Sequence, residues 1–425
     1  MFQPGHSTGH VPDFAAEPNV AIRYSVRETG HIDPASAILS NSRVVSILSV
    51  YRHFTRRAGR LWFVGLVAAT CLSSLTLVSS FGQPAADRSS GESGQRGSEQ
   101  VRDPSTSIET SGLEFVTPQT QLSIDRGLQW LAARQQPDGS WGTEGLYRQN
   151  AAVTALAGIA FLSAGHVPGQ GKYGGHVQRA VNFLLDCESS AGFIHAPDTR
   201  IHGPMYEHGF ATLFLAEVYG MSPTDELKEK LKAAVALIVN SQNGEGGWRY
   251  QAQRRDADVS VTVCQIMALR AARNAGIHVP KETVDECIKY VKNCQNSDGG
   301  FRYQLTYRTQ SVFARSAAGL VALYSAGIYE GREVEKALKY LSGQRDHVFR
   351  AEQHYFYGHY YAVQAMWHAG DRYWRRWYPA IRDELTSQQL ADGSWSDVQV
   401  SPEYATGMAC IILQMPNNYL PIFQR

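Results

Sequence analysis

The chain has 425 residues, with 40 Lys and Arg against 39 Asp and Glu and a formal net charge of +1 at pH 7. This near-neutral balance gives no electrostatic basis for nucleic-acid binding, so no nucleic-acid partner is expected. Of the six cysteines, Cys71 lies within the uncharged stretch 61–80. The other five lack the paired spacing of a zinc finger, and we interpret them as small buried apolar residues.

The N-terminal part of the sequence predicts an anchor and a tether. Residues 1–60 show no sustained periodicity and predict a disordered cytoplasmic region. Residues 61–80 carry no charge and follow Arg52, Arg56, Arg57 and Arg60, as in a transmembrane or signal-anchor helix. Residues 81–118, rich in Ser and Gly, predict a flexible linker. We therefore expect a single-pass membrane protein whose remainder, 119–425, is non-cytoplasmic. A cleaved export signal is the alternative for 61–80.

A seven-residue motif recurs through residues 119–425. It has a Gln six residues before an aromatic residue, with an acidic residue and a Gly between the two. The clear copies are Gln135–Trp141, Gln242–Trp248, Gln295–Phe301 and Gln389–Trp395. Cys187–Phe193 is a weaker copy without the Gln, and a degenerate one surrounds Gln344. Roughly 53 residues separate neighbouring copies, which marks a repeat architecture of six units.

Each repeat predicts a helical hairpin. An amphipathic helix leads into the Gln, the acidic-Gly turn follows, and a second helix is apolar nearly all round. Glycines at Gly165, Gly276, Gly327 and Gly370 mark the ends of second helices. An apolar helix needs a covering layer, so the second helices should form an inner ring. The sequence predicts an all-α fold, an (α/α)6 toroid of twelve helices in six hairpin repeats, with a lumen on the order of 10 Å wide.

The Gln-to-aromatic copies resemble the repeat of the prenyltransferase and squalene-cyclase superfamily over about 70% of the chain. The resemblance implies that these residues are structural, with the Gln tying outer helices together: Gln135, Trp141, Gln242, Trp248, Gln295, Phe301, Gln389 and Trp395. It also implies an active site where the N-termini of the inner helices reach the lumen. Helix N-termini there would suit an anion such as a diphosphate.

The sequence departs from the catalytic motifs of that superfamily. A class II terpene cyclase uses an Asp-x-Asp-Asp acid, whereas Asp256 and Asp258 are followed by Val259 in the fourth position. Moving the register by the downstream Ala268-Leu269 would put Ser260 in the acid's place. Cyclisation through this motif is therefore not expected.

The zinc set of a protein prenyltransferase is also missing. The fourth repeat reads Gln310-Ser311-Val312 where an Asp-x-Cys pair would stand, and Gly358 takes the place of the later His. His359 lies one residue on, about 100° around a helix, and cannot replace it. We predict no metal and no cofactor. The best residue-level resemblance is Tyr206-Glu207-His208-Gly209, which is similar to the His-Gly at which prenyltransferases contact the diphosphate.

Polar and aromatic residues before the inner helices predict a lined cavity mouth. If the protein is an enzyme, Asp256, Asp258 and His208 are the candidate catalytic residues. The candidate ligand-binding residues are Tyr206, Arg254, Arg255, Tyr307, Arg308, Tyr357 and His359. The favoured hypothesis is a toroid that binds an isoprenoid or other apolar molecule. Two alternatives stay open: a non-catalytic scaffold for a protein partner, and a glycosidase of wall polysaccharide that sets Asp256 or Asp258 against Glu207 or Glu403.

Overall fold

A computed structural model of the protein describes residues 112–143, 145–197, 203–344 and 354–424. Across these ranges the chain forms twelve α-helices joined by loops and short 3-10 turns, without a strand. The predicted all-α toroid of six helical hairpins is confirmed. The odd-numbered helices form an outer ring and the even-numbered helices an inner one.

The outer helices bury one face and the inner helices bury nearly all of theirs. The outer helices are α1 (Pro118–Arg134), α3 (Gly174–Asp186), α5 (Asp225–Ser241), α7 (Lys281–Asn293), α9 (Arg332–Gly343) and α11 (Asp371–Gln388). The inner helices are α2 (Ala151–Ser163), α4 (Pro204–Met221), α6 (Val259–Asn274), α8 (Phe313–Ser325), α10 (Tyr355–His368) and α12 (Pro402–Leu413). Each inner helix packs on the next, and α12 packs on α2, so the inner ring is closed.

Local signals in the sequence fix where the helices begin and end. A side-chain oxygen at the N-cap accepts a backbone N–H bond at Thr117, Asn150, Thr224, Asp258 and Ser401. Such caps satisfy N–H groups that have no partner within the helix. The predicted helix ends have left-handed backbone at Gly165, Gly276, Gly327 and Gly370. Residues at or just before the starts of all six inner helices line one cavity, so these helices begin at the same end of the toroid.

The Gln side chains join one outer helix to the next. Nε2 of Gln242, at the end of α5, donates to Gly246 O in its own turn and to Thr283 O in α7, both at 2.9 Å. The same pair of bonds is made by Gln135 to Gly139 and His176, by Gln295 to Gly299 and Glu333, and by Gln389 to Gly393 and Ser123. Because Ser123 lies in α1, the last of these bonds links the end of the outer ring to its start.

The aromatic residue of each motif fills the space between the outer and inner rings of helices. Trp248 is buried, and its Nε1 donates to Ile238 O in α5 at 2.7 Å. Trp141 and Trp395 make the matching bonds to Leu131 O and Leu385 O. Phe301 occupies the same buried position without a donor. The motif therefore stabilises the fold at both of its ends, since the Gln links two outer helices and the aromatic residue packs between the outer and inner helices.

The second repeat keeps the turn but loses the Gln bridge. Cys187 stands in the Gln position, and the neighbouring Glu188 lies 3.8 Å from Lys230 Nζ of α5. Burial raises the pKa of Glu188 to about 7. An ion pair thus links α3 to α5 where other repeats use an amide. The degenerate copy after Gln344 lies outside the described residues from 345 to 353.

A C-terminal segment covers the base of the toroid, where the inner helices end. Gln414 and Asn417 donate to Ala160 O and Ser163 O at the end of α2. On α6, Arg270 Nη2 donates to Gln424 O at 2.5 Å. Three further residues of the segment are buried: Leu420, Ile422 and Phe423. The segment therefore spans the base from α2 to α6.

The predicted N-terminal region, the anchor at 61–80 and the first thirty or so linker residues, 81–111, lie outside the described residues. Within the described ranges, no helix combines the length and apolar character needed to cross a membrane.

Candidate functional site

A cavity of about 640 Å³ lies where the inner helices begin. Residues from all six repeats line it: Tyr147, Asn150, Ala152, Val153, Leu156, Gly203, Tyr206, Phe210, Tyr250, Ser260, Tyr303, Arg315, His354, Tyr357, Val400, Tyr404 and Met408. Exposed His354 lies at its rim. Below it, buried Tyr360 and Tyr361 occupy the lumen, and Phe210 meets Tyr360 edge-to-face. The cavity therefore opens at one end and is blocked by side chains at the other.

The wall of this cavity is aromatic and aliphatic. Six tyrosines and Phe210 account for much of it, together with Leu156, Val153, Val400 and Met408. None of the lining residues that the structure describes is an Asp or a Glu. A volume in the ~300–1,000 Å³ range and a mostly apolar wall with few polar groups are typical of small-molecule sites.

One guanidinium, that of Arg315, lines the cavity, and it is already hydrogen-bonded to the backbone of the protein. Arg315 Nε donates to Phe301 O at 2.9 Å and its Nη2 donates to Gln310 O at 2.5 Å. The guanidinium carbon lies 5.7 Å from the centre of the Tyr303 ring. Burial lowers the pKa of Arg315, which shows that its charge is partly desolvated. Arg315 is thus a structural cation with two of its donors occupied by carbonyl oxygens.

Asp258 lies behind the wall. It is fully buried, and Oδ1 accepts from Val261 N at 2.8 Å as the N-cap of α6. Oδ2 accepts from the Tyr303 hydroxyl at 3.2 Å, and Arg249 Nε lies 3.7 Å away. Burial raises the pKa of Asp258 to about 6, although these neighbours favour its ionised form. The carboxylate therefore reaches the cavity only through Tyr303.

Tyr303 and Tyr250 form a hydrogen-bonded pair on the wall. Their hydroxyl oxygens are 2.5 Å apart. The Arg249 guanidinium stacks over both rings, at 5.0 Å from the centre of Tyr250 and 6.0 Å from that of Tyr303. Burial and the nearby Asp258 raise the pKa of Tyr303 well above its usual range. The Tyr303 hydroxyl is therefore protonated at any ordinary pH.

The structure brings only some of the predicted site residues together. Tyr206 and Tyr357 line the cavity, with Asp258 one hydrogen bond behind. The predicted polar residues of the loops before α6 and α8 are exposed and are not among the lining residues: Arg254, Arg255, Asp256, Tyr307 and Arg308. Asp256 forms an ion pair with Arg249. No positively charged clamp lines the described part of the wall.

The two predicted histidines are buried away from the cavity. His208 Nδ1 accepts from Ile194 N at 3.2 Å, and its Nε2 donates to Ala234 O of α5 at 3.1 Å. Burial lowers the pKa of His208 to about 4, so it is neutral near pH 7. His359 packs against the rings of Phe313 and Tyr355, at centroid distances of 5.3 and 4.5 Å. Both histidines thus serve the packing between the rings.

The carboxylates considered for a glycosidase are also held outside the cavity. Glu207 accepts from Ala151 N at 2.9 Å and from His195 Nδ1 at 2.9 Å. Glu403 accepts from Thr143 Oγ1 at 2.9 Å and lies 3.4 Å from Arg134. Within the described ranges no three His, Cys, Asp or Glu side chains cluster as metal ligands would.

Residues 155–351 match the family described as the prenyltransferase alpha-alpha toroid domain. The resemblance inferred from the Gln-to-aromatic copies is thereby confirmed. No curated protein sequence matches the chain.

Solved structures share the fold of this chain at low sequence identity. The type II terpene cyclase MstE from Scytonema is 15% identical with a TM-score of 0.50, covering 71% of this chain and 99% of its own. A variant of MstE in complex with its product, merosterolic acid A, is 15% identical with a TM-score of 0.52, covering 71% of this chain and 98% of its own. An inactive variant of the α-1,6-mannanase GH76A of Salegentibacter, in complex with α-1,6-mannotetrose, is 8% identical with a TM-score of 0.52. The match covers 71% of this chain and 100% of the mannanase chain. At these identities the likeness shows the fold alone.

Proposed function

We propose that the toroid binds an uncharged, largely apolar molecule of the isoprenoid class in the cavity at the start of the inner helices. The observation that carries the proposal is the wall itself, in which tyrosine rings and aliphatic side chains surround about 640 Å³. Aromatic faces and branched aliphatic groups pack well against prenyl units. The binding of isoprenoid-derived substrate and product by the structurally similar MstE variants supports this choice of ligand.

The charges around the cavity favour a neutral ligand over a diphosphate. Arg315 is the one guanidinium on the described wall, and two of its donors are bonded to backbone carbonyls. Arg254 and Arg255 are exposed in a loop. A buried phosphate needs several charge-assisted bonds to replace its hydration. The proposal assigns binding and no reaction, since Asp258 lies behind Tyr303 and no carboxylate belongs to the described wall.

The glycosidase hypothesis gains less support from the same wall. Hydrolysis of a glycoside uses two carboxylates that face the bond to be cleaved. Glu207 and Glu403 instead accept bonds from Ala151 N and Thr143 Oγ1. The scaffold hypothesis predicts that the cavity stays empty, and this separates it from ligand binding by experiment.

Native mass spectrometry of the full-length protein after exposure to a membrane lipid extract tests the proposal. We expect polyprenyl species to co-purify. An Ala152→Trp variant places an indole in the cavity and should lose the bound mass. An Ala133→Trp variant adds the same side chain to the exposed face of α1 and should keep it. A bare wild-type protein, or a bound mass that both variants retain, would refute the proposal and favour the scaffold.

A further inference from the structure

The hydrogen bonds behind the cavity wall run in one direction only. An ionised carboxylate accepts hydrogen bonds and donates none. Asp258 Oδ2 lies 3.2 Å from the Tyr303 hydroxyl, so the Tyr303 proton points at Asp258. Above pH 6 this orientation is the prevailing one, since the pKa of Asp258 is about 6. One ionised group therefore sets the orientation of its neighbour.

The second hydroxyl follows from the first. Tyr250 and Tyr303 share a hydrogen bond of 2.5 Å between their oxygens. Because the Tyr303 proton is directed at Asp258, Tyr250 must supply the proton of this bond. Both tyrosine protons then point along the chain towards Asp258. Tyr250 then presents its phenolic oxygen to the cavity, and this oxygen accepts hydrogen bonds.

We propose that this pair selects the polar end of the ligand, and that the cavity takes an isoprenoid alcohol whose hydroxyl donates to the oxygen of Tyr250. The inference rests on the proposed function, because it concerns the ligand of the same cavity. A ketone, aldehyde or carboxylate brings only acceptor oxygen to the pair and leaves oxygen facing oxygen. A site built for a donor rejects an analogue that lacks it, since desolvated polar groups then stay unpaired.

Asp258 acts here as a positioning residue. An amide in its place should reverse the direction of the hydrogen bonds that link Asp258, Tyr303 and Tyr250. Asn is as good an N-cap as Asp, so Asp258→Asn keeps the bond from Val261 N to Oδ1. Its Nδ2 then takes the place of Oδ2 and donates to Tyr303. Tyr303 in turn donates to Tyr250, and Tyr250 presents its proton to the cavity. The variant should therefore prefer an acceptor.

Two probes of equal heavy-atom count measure this preference. Geranylacetone carries a ketone, and the alcohol obtained by its reduction carries a hydroxyl at the same carbon. At pH 8, isothermal titration of the full-length protein should show the alcohol binding about tenfold more tightly than the ketone. Asp258→Asn should invert the order. Tyr250→Phe should abolish the preference, and Tyr307→Phe, on an exposed tyrosine, should retain it.

The possible results separate this inference from the proposed function. If wild type binds both probes equally, or if Asp258→Asn still prefers the alcohol while its circular-dichroism melting curve matches wild type, the inference is wrong and ligand binding stands. If Asp258→Asn does not fold, Tyr250→Phe alone decides, because a retained tenfold preference would overturn the inference. If neither probe binds wild type, both the inference and the proposed function fail.

Discussion

Gly246 fulfils two requirements at once. Its backbone has a φ of +95°, a conformation that side chains disfavour. A Cβ built on it would also lie 2.2 Å from Glu286 O in α7. The turn glycines Gly139 and Gly299 meet the backbone of the next outer helix in the same way. The glycine of the motif is therefore needed both for the turn and for the close approach of two outer helices.

Replacing Gly246 should test both requirements. We expect Gly246→Ala to lower the free energy of unfolding by about 3 kcal/mol, since a strained conformation and a backbone clash add. Urea denaturation of the two proteins measures the difference. Gly244→Ala, in the same turn with open space around it, is the matched control and should change stability by less than about 0.5 kcal/mol. Equal losses in the two variants would contradict the argument.

The direction of each side chain was what the sequence could not supply at this scale. Tyr206 and Tyr357 line the cavity, whereas His208 and His359, each two residues further on, do not. Two residues turn a helix by about 200°, so the members of each pair lie on opposite faces. Inner helices are apolar all round, and their sequence does not mark which face meets the lumen. The sequence therefore predicts His208 as catalytic and His359 as ligand-binding, although only the two tyrosines line the cavity.

At the scale of helices, the Gln bridges explain why four of the six repeats keep a Gln six residues before the aromatic. Nε2 of Gln242 is buried between the carbonyl oxygens of Gly246 and Thr283. Only a donor can occupy this position, because both neighbours are acceptors. One amide thus replaces the water that the end of α5 and the start of α7 would otherwise need.

Gln242→Glu should remove that donor with little change of shape. A carboxylate facing two carbonyl oxygens is repelled and left without hydrogen bonds, so we expect a loss of about 2–4 kcal/mol at pH 8. Gln251→Glu, at an exposed position, is the control and should be neutral. Thermal unfolding followed by circular dichroism measures both variants. If Gln242→Glu melts within a degree of wild type, the bridges do not carry the stability assigned to them.

The sequence predicted helices, turns and ring closure well, because each rests on local periodicity or on the repeat. It did not predict how the second repeat compensates for Cys187. Lys230 is 42 positions from Glu188, and nothing in either segment marks the ion pair at 3.8 Å. The same limit applied to Tyr303 and Asp258, whose contact depends on how the loop before α8 folds over the start of α6.

At the scale of the whole molecule, buried carboxyl groups make stability depend on pH. Burial raises the pKa of Glu217 to about 8 at the base, that of Glu188 to about 7 between outer helices, and that of Asp258 to about 6 behind the cavity. Each folded-state pKa is higher than its unfolded value. These groups therefore bind protons more tightly in the folded state, and their contribution is lost as pH rises through 6 to 8.

We accordingly expect the free energy of unfolding to be larger at pH 6 than at pH 9. Glu217→Gln should flatten this dependence, because an amide keeps the shape of the carboxylic acid without its charge. Denaturant unfolding at a series of pH values measures the slope. Glu226→Gln, on the exposed first turn of α5, should leave it unchanged. Stability that rises from pH 6 to pH 9 would show that the sign is wrong.

The C-terminal segment across the base has a consequence for exchange kinetics. With the base covered by residues 414–424 and the lumen filled by Tyr360 and Tyr361, a molecule in the cavity must leave by the opening through which it arrived. Association and dissociation then cross the same barrier. A change at His354 on the rim that does not touch the bound molecule should therefore speed or slow both rates by the same factor and leave the dissociation constant where it was.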